Sequence, residues 1–364
     1  MIPVAFDLRD PTRSGIARVA QSLARAFAQR TDTDRRFDLT ICGPLDQLQQ
    51  LGAAGWSTRD IRFIDWPGGR YSAESQVAWR SVRQRVGDAL WYFPHWDVPW
   101  YSLPERYVVT VFDLILVNVP GATTPMRRAV AARWIRRAVN GASRVVVAAD
   151  HAASELAAFA PASASKIRKV PAGVDATFFE QAPALPPEIQ AFADAGPFML
   201  SVGNRKRHKN LSIGVDVLTR VPGVRWIVVG EAFSEWSEVE RRANEAGVAS
   251  RMLVLGQQPD GVLRALYRAA ACVFFPSRAE GYGLPVIEAI AAGTPVVCSN
   301  AGSLPEVAGD CATLCDPDDV AGFAKAVERA IAQPRQTDPC LARVRAMTWS
   351  ASAERLAAVL AEVA

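Results

Sequence analysis

Short apolar, β-branched segments alternate with amphipathic segments rich in alanine and arginine along almost the whole chain. After an opening apolar segment, the strands predicted in the first half are 37–43, 106–115 and 144–150. The same alternation begins again at residue 197, with predicted strands at 197–203, 224–230, 251–256, 272–277, 294–299 and 312–316. Apolar strands separated by helical segments are typical of parallel sheets covered on both faces. The chain is therefore predicted to be an α/β protein with two doubly wound parallel sheets.

The length of 364 residues fits two domains of ordinary size. An N-terminal domain is predicted over 1–180 and a C-terminal domain over 197–345. The linker predicted between them, 181–196, contains prolines that are expected to interrupt any regular element. A last helix in 346–364 is expected to return to the N-terminal domain. Ligands are expected in a cleft between the domains, at the carboxyl ends of the strands.

The composition favours a soluble globular protein rather than a disordered or membrane-spanning one: 50% of the residues are apolar and 21% are charged. No apolar segment approaches the roughly 20 residues of a membrane-spanning helix. The first residues, MIPVAFDLRD, reach a charged side chain too early for the apolar core of a signal peptide, so a cytoplasmic protein is expected. The net charge of +4 favours an anionic small ligand or surface and does not require nucleic acid.

The cysteines are scattered, and only Cys311 and Cys315 are close together in sequence. Their spacing is not that of a metal knuckle, and no histidine lies near them. They are interpreted as buried or incidental thiols rather than as a metal or disulfide site. The others are Cys42, Cys272, Cys298 and Cys340.

A basic turn follows the first predicted strand of the C-terminal domain, in the segment SVGNRKRHKN. Its cations are Arg205, Lys206, Arg207 and Lys209. At the carboxyl end of a parallel strand, cations and backbone amides are suited to a diphosphate. The alternative is a solvated basic loop.

Two glutamates enclose a glycine-rich segment in EGYGLPVIE, residues 280–288. Glu280 is predicted to lie on the loop after a strand, and Glu288 in the first turn or so of the next helix. Carboxylates accept hydrogen bonds from hydroxyls, so the pair suits a polyhydroxyl ligand, with the intervening amides donating to phosphate or sugar oxygens. The alternative places Glu280 on the surface and makes Glu288 a helix cap.

The N-terminal half has three further features. Gly15 begins an amphipathic helix, where a glycine lets a ligand approach the helix N-terminus. Residues 90–101 form an aromatic band, and 123–139 form a helix with five arginines. Aromatic faces suit sugars, and a basic helix suits anionic lipid headgroups or a lipid diphosphate. The alternatives are a core aromatic cluster and a solvated helix face.

Residues 203–211 and 266–319 resemble the nucleotide-sugar domain of retaining glycosyltransferases of glycosyltransferase family 4, and residues 169–175 and 14–19 do so more weakly. The HKN sequence after the basic turn most resembles bacterial mannosyltransferases of polysaccharide and O-antigen assembly. The resemblance implies the GT-B fold, in which two Rossmann-like doubly wound parallel-sheet domains face each other across a cleft.

The resemblance also implies site residues. Glu280 matches the glutamate that faces the donor sugar, and Glu288 the one that binds the ribose. Lys209 matches the lysine that neutralises the diphosphate, with Arg205 as the accompanying arginine. The other implied donor-binding positions are Gly15, Gly203, Asn204, His208, Gly281, Tyr282, Gly283 and Leu284.

The chain departs from the family at one position. Many relatives read T-x-H-D at the end of the strand that here reads VVTVFDLI, so Phe112 replaces their histidine and Asp113 is retained. Either Asp113 takes over part of that catalytic role or another residue fills it, with His95 as the leading substitute. His95, Trp96 and His151 are assigned to the acceptor side, although a histidine between aromatic residues is often a packing residue and His151 also suits a helix start.

The resemblance therefore implies a retaining hexosyltransferase that needs neither metal nor cofactor. GDP-mannose is the first donor considered, with a glycan or lipid-linked oligosaccharide acceptor and possible peripheral contact with the inner face of an anionic cytoplasmic membrane. The alternatives are a sugar-nucleotide epimerase of the same fold and a catalytically degenerate subunit that binds sugar nucleotides.

Overall fold

The computed structural model describes residues 1–10, 15–31, 36–53, 61–231, 236–332, 335 and 338–364, without the side chains of 31 and 51–53. The chain forms two compact units. Unit 1 contains residues 1–118, 123–173 and 347–364, and unit 2 contains residues 119–122 and 174–346. Each unit is built around its own parallel sheet.

In the described part of unit 1, seven parallel strands follow the order β3-β2-β1-β4-β5-β6-β7. The central strands are buried on both faces because helices cover both sides of the sheet. The strands are β1 Ile2–Asp7, β2 Phe37–Gly43, β3 Arg62–Asp65, β4 Leu90–Phe93, β5 Tyr107–Thr110, β6 Arg144–Val147 and β7 Ile167–Lys169.

The helices of unit 1 include the last helix of the chain, which packs against the first. They are α1 Gly15–Thr31, α2 Leu45–Ala53, α3 Ala73–Val86, α4 Ile115–Asn118, α5 Pro125–Gly141, α6 Asp150–Phe159 and α15 Trp349–Ala361. Thr348 caps α15, since its hydroxyl accepts a hydrogen bond from the Ala351 amide at 3.1 Å. The buried face of α15 joins the apolar core that contains Phe6 and Phe27.

In the described part of unit 2, six parallel strands follow the order β10-β9-β8-β11-β12-β13. They are β8 Phe198–Val202, β9 Arg225–Val229, β10 Met252–Leu255, β11 Cys272–Phe275, β12 Val296–Ser299 and β13 Thr313–Cys315. The helices are α7 Pro187–Asp194, α8 Ile213–Arg220, α9 Trp236–Glu245, α10 Asp260–Ala269, α11 Leu284–Ala291, α12 Leu304–Ala308, α13 Val320–Ala332 and α14 Asp338–Arg345. The prediction of two doubly wound parallel sheets is confirmed.

The expected linker at 181–196 contains a regular element. Helix α7 lies within it, in unit 2, with Pro186 as the preceding residue and Pro187 in the first turn. The expectation that prolines interrupt this stretch is wrong for α7, because the first turn of a helix has no partner for its amides and tolerates proline.

The interpretation of Cys311 as a thiol is also wrong. Cys311 forms a disulfide with Cys340, which lies on α14. The sequence places these residues 29 positions apart, so local spacing gives no sign of the pairing. The remaining cysteines are buried free thiols.

None of the helices in the described residues combines the length and the apolar composition needed to cross a membrane.

The docking of α15 can be tested by Leu356→Ala, since Leu356 is fully buried in the core of unit 1. Cavity formation is expected to lower the free energy of unfolding by about 2–5 kcal/mol, measured by urea unfolding. Arg355→Ala, at an exposed position of the same helix, is the matched control and is expected to change it by about 0.5 kcal/mol or less. Equal effects of the two changes would contradict this packing.

Candidate functional site

The order of strands in unit 2 reverses between β8 and β11. These strands are hydrogen-bonded neighbours, with Met199 opposite Cys272, but the chain leaves β8 toward β9 on one side and β11 toward β12 on the other. Such a reversal leaves a crevice at the carboxyl edge of a parallel sheet, where ligands bind in doubly wound folds. The basic turn and the EGYG loop both begin at this edge.

Lys209 and Glu280 form an ion pair at this crevice. Lys209 lies in a 3₁₀ turn, Arg207–Lys209, and its Nζ is 2.6 Å from Glu280 Oε1. The two side chains are 14% and 10% exposed. The ammonium also lies 4.9 Å from the ring centroid of Phe275, the last residue of β11. The alternative of a surface Glu280 is therefore wrong.

The backbone of Glu280 is fixed from the other side by the loop after β12. Its carbonyl oxygen accepts hydrogen bonds from the Ser303 hydroxyl at 3.0 Å and the Ser303 amide at 3.3 Å. Gly302 has φ 61°, and a Cβ there would lie 2.9 Å from the amide nitrogen and carbonyl oxygen of Glu280. Only glycine fits this close approach.

Helix α11 begins directly after the glycine-rich loop. Gly283, with φ 104°, precedes it in the left-handed conformation, and Pro285 occupies the first turn. Gly281 and Tyr282 are buried, and the Ser303 hydroxyl also donates to the Tyr282 carbonyl at 3.0 Å. Backbone amides of such a loop and of the first turn of a helix suit an anion or sugar oxygens.

Glu288 lies in the second turn of α11 and is 4% exposed. Its Oε2 accepts a hydrogen bond from the Tyr267 hydroxyl of α10 at 2.8 Å. No side chain caps the start of α11. The alternative in which Glu288 is a helix cap is therefore wrong.

The basic turn divides into residues with different surroundings. Lys206 and Arg207 are exposed. Arg205 stacks over the ring of Trp236, 4.7 Å from its centroid, and its amide donates to the Glu231 carbonyl at 3.0 Å. Among the cations of the turn, Lys209 is the one that the structure pairs with Glu280.

His208, in the same turn, is a neutral side chain at neutral pH. Burial lowers its pKa to about 4, and the positive charge of Lys209 adds to this effect. Its carbonyl oxygen accepts a hydrogen bond from the Arg278 amide at 2.8 Å, which ties the turn to the loop after β11. His208 therefore positions the site and adds no positive charge to it.

A small cavity at the ends of β8 and β11 is lined by Gly203, Asn204, Lys209 and Ser277. Asn204 Oδ1 and Ser277 Oγ are buried and have no hydrogen-bond partner among the described residues. Buried polar atoms normally have partners, so these two mark a place for ligand atoms. The sequence analysis missed Ser277, although its position at the end of the predicted strand 272–277 is a signal for it.

In unit 1, Gly15 is the first residue of α1, and a Cβ there would meet nothing within 4 Å. Residue 14, the first of the resembling segment 14–19, lies outside the described residues together with 11–13. Asp113 Oδ1 accepts a hydrogen bond from the Ile115 amide at 3.0 Å and so starts α4. Phe112 is half-buried beside it.

The residues assigned to the acceptor differ in exposure. His95 is 7% exposed and Trp96 is 6% exposed. Trp96 packs against the rings of Tyr71, His95 and Trp134 with centroid distances of 4.6–5.7 Å. His151 is exposed on α6 and lies 3.7 Å from Glu155.

Residues 187–345 match the family model described as glycosyl transferases group 1. One relative, the O-antigen chain mannosyltransferase B of Escherichia coli, is 28% identical over 69% of this chain and 66% of its own length. A D-inositol 3-phosphate glycosyltransferase of Segniliparus rotundus is 31% identical over 79% of this chain and 64% of its own length. These matches thus span slightly less than two thirds of each relative.

Solved structures share the fold. Sucrose-phosphate synthase from Thermosynechococcus elongatus superimposes with a TM-score of 0.80 at 21% identity, covering 100% of this chain and 99% of its own. HepE from Anabaena, solved in complex with UDP-glucose, has a TM-score of 0.74 at 17% identity, with both chains covered fully. The chain has the GT-B fold, and its residues 187–345 are similar to the group 1 glycosyltransferases. It is related in sequence to an O-antigen chain mannosyltransferase.

The buried state of His208 predicts a pH dependence of stability. Its pKa is lowered from 6.5 to about 4 in the folded chain, so the unfolded chain binds the proton first and stability is lost as pH falls from about 6.5 toward 4. We expect His208→Gln to show a smaller drop in Tm between about pH 7 and pH 4.5 than the native chain. An identical drop would contradict a neutral, buried His208.

Proposed function

We propose that this chain transfers a hexosyl group, with mannose from GDP-mannose as the first candidate, to a hydroxyl of a glycan or lipid-linked acceptor in bacterial surface polysaccharide synthesis. The observation that carries the proposal is the Lys209–Glu280 pair at the strand-order reversal of unit 2, beside the start of α11. The mannosyl assignment is supported by the relative named for O-antigen chain assembly.

Each side chain has a proposed task in donor binding. Lys209 neutralises the diphosphate, and the amides of residues 281–284 donate to phosphate and sugar oxygens. Glu280 accepts hydrogen bonds from the donor sugar near its reacting carbon. Glu288, oriented by Tyr267, accepts from the ribose hydroxyls. Arg205 is the proposed accompanying cation for the diphosphate.

The proposed reaction retains the anomeric configuration. The bond between the anomeric carbon and the diphosphate oxygen breaks while the acceptor oxygen attacks the same face, and the departing phosphate takes the acceptor's proton. Negative charge grows on the leaving group, so a pre-positioned cation and helix N-terminus favour the transition state. Asp113 is proposed to take over part of the role of the family histidine. Neither a metal nor a cofactor is needed for these steps.

Replacement of Lys209 tests the donor site. We expect Lys209→Met to lower kcat/KM for the donor by about 100-fold or more, because the charge that stabilises the leaving diphosphate is lost. Lys206→Met removes an exposed cation of the same turn and is the matched control, with a change of about twofold or less. A Lys209 variant as active as this control would contradict the assignment.

Replacement of Glu280 tests the sugar contact separately. We expect Glu280→Gln to reduce glycosyl transfer strongly while the nucleoside diphosphate still raises the Tm of the variant, because the diphosphate contacts are retained. Thermal shifts with GDP-mannose, GDP-fucose, UDP-glucose and UDP-N-acetylglucosamine identify the donor. Donor turnover without any acceptor, with the sugar epimerised, would instead favour the epimerase.

A surface of unit 1 supports proposed contact with the inner face of an anionic membrane. Met126 and Val130 of α5 are 79% and 56% exposed, and they lie two turns and one turn, respectively, before Trp134, which packs on Trp100. Trp100 is itself 53% exposed. Exposed arginines flank this stripe at positions 127, 133 and 136. An apolar stripe flanked by arginines is the pattern of an interfacial helix.

Vesicle sedimentation tests this contact. The native chain is expected to sediment with phosphatidylglycerol vesicles and to stay in the supernatant with phosphatidylcholine alone, since arginines are attracted to anionic headgroups. Replacing Arg127 and Arg133 together by alanine is expected to weaken sedimentation, whereas Arg355→Ala on α15 leaves it unchanged. Equal sedimentation with both lipids would contradict the proposal.

A further inference from the structure

Unit 1 has a strand-order reversal of its own, between β1 and β4. These strands are neighbours, with Val4 opposite Leu90, although β1 leads to β2 on one side and β4 to β5 on the other. A pocket lies at their carboxyl ends, beside the first turns of α1. Its charged and titratable lining consists of Asp7, Arg9, Asp10, Arg70, His95 and Asp97.

Arg9 fixes the wall of this pocket. It is 1% exposed and donates from Nε and Nη2 to the two carboxylate oxygens of Asp7, at 2.9 and 2.7 Å. Nη2 also donates to the Asp97 carbonyl at 2.8 Å, and the guanidinium stacks on Trp66 at 3.8 Å. The strand ends and the loop after β4 are thereby held in one arrangement, with the charges of Arg9 and Asp7 compensated.

Two side chains in the pocket have buried hydrogen-bonding atoms that are unused. Asp97 is 1% exposed, and its Oδ2 accepts from the Tyr71 amide at 2.8 Å. Its Oδ1 has no partner among the described residues. Arg70 Nη2 is 2.8 Å from Asp10 Oδ2, while its Nε and Nη1 are buried and have no partner in the same set of residues. The pocket thus offers one acceptor and at least one donor to a ligand.

The charges of the pocket disfavour anionic ligands, although burial raises the pKa of Asp97 to about 6. The carboxylates of Asp7, Asp10 and Asp97 face the guanidinium groups of Arg9 and Arg70, which leaves one negative charge in excess. His95 adds no positive charge, because burial holds its pKa well below the ordinary value and its Nδ1 accepts from the Asp97 amide at 3.1 Å. A phosphate or carboxylate would meet this excess negative charge in a buried setting.

We propose that this pocket binds the hydroxyl groups of an uncharged sugar acceptor: one hydroxyl donates to Asp97 Oδ1, and a neighbouring oxygen accepts from Arg70 Nη1. A hydroxyl both donates and accepts, so adjacent hydroxyls satisfy both unused sets of atoms. The pocket selects neutral sugars against their phosphorylated forms. This inference rests on the glycosyl transfer proposed above and names the class of its acceptor.

The test measures binding to the full chain by saturation-transfer NMR, in the presence of the nucleoside diphosphate that gives the largest thermal shift. The probes are the methyl glycosides of mannose, glucose and galactose, each compared with its 6-phosphate. The variants are Asp97→Asn and Arg70→Lys. Asp88→Asn is the matched control, since its side chain is 93% exposed in the same unit.

The proposal expects at least one neutral glycoside to bind the native chain and the Asp88 variant, and its 6-phosphate to bind more weakly. Affinity is expected to fall by about tenfold or more in the Asp97 variant, because a hydrogen bond to a buried charge is lost. Arg70→Lys leaves Asp97 in place and is expected to weaken the binding of the same glycoside. This second variant keeps the test valid should Asp97→Asn fail to fold.

Three results would overturn the subsite: no glycoside binds, a 6-phosphate binds more tightly than its parent, or every folded variant binds like the native chain. The nucleoside diphosphate separates this failure from that of the proposed function. If it raises the Tm but no glycoside binds, only the subsite is wrong. If it does not bind either, the proposed glycosyl transfer is wrong as well.

Discussion

The reversal of strand order between β8 and β11 is the constraint on which the candidate site depends. Crossovers in a parallel sheet are right-handed, so the chain covers opposite faces on the two sides of the reversal and leaves the carboxyl edge open there. Two loops distant in sequence, after residues 202 and 275, start from neighbouring strands. Their shared origin brings Lys209 and Glu280 to a distance of 2.6 Å across 71 residues of sequence.

The position of the Lys209–Glu280 ion pair depends on the contacts of Ser303 and Gly302 with the backbone of Glu280. A pair so little exposed gains limited net stability from attraction, since both ions lose water. Its value is geometric: Glu280 is held through its carbonyl by Ser303, and the close approach of Gly302 leaves the loop little freedom. A ligand that takes over the contacts of Lys209 meets groups already in place, so little ordering entropy is lost when it binds.

The sequence predicted what is encoded locally. Apolar strands such as β8 and β11, and the EGYG loop with its following helix, were predicted from adjacent residues. The strands β3, β4 and β7 were missed because RFID and IRK carry charges, and LWYF had been interpreted as an aromatic band. Contacts between distant segments, such as Arg9 with Asp97 and Cys311 with Cys340, leave no periodic signal. Of the residues that line the proposed acceptor pocket, the sequence indicated His95 for the acceptor side. The placement of Asp97 and Arg70 depends on contacts between distant segments and was not predicted.

The reversals of strand order in the two units have the same topology, but the side chains around them differ in net charge. In unit 2 the turn after β8 carries more cations than the opposing loop has carboxylates, which suits a diphosphate. In unit 1 one carboxylate exceeds the guanidinium groups, and its unused oxygen suits a hydroxyl. The proposed glycosyl transfer, in which the leaving phosphate takes the proton, suits this division: cations for the diphosphate of the donor, and a neutral, oriented hydroxyl from the proposed acceptor. A histidine at position 112 is then not required as a proton acceptor, which is consistent with phenylalanine there.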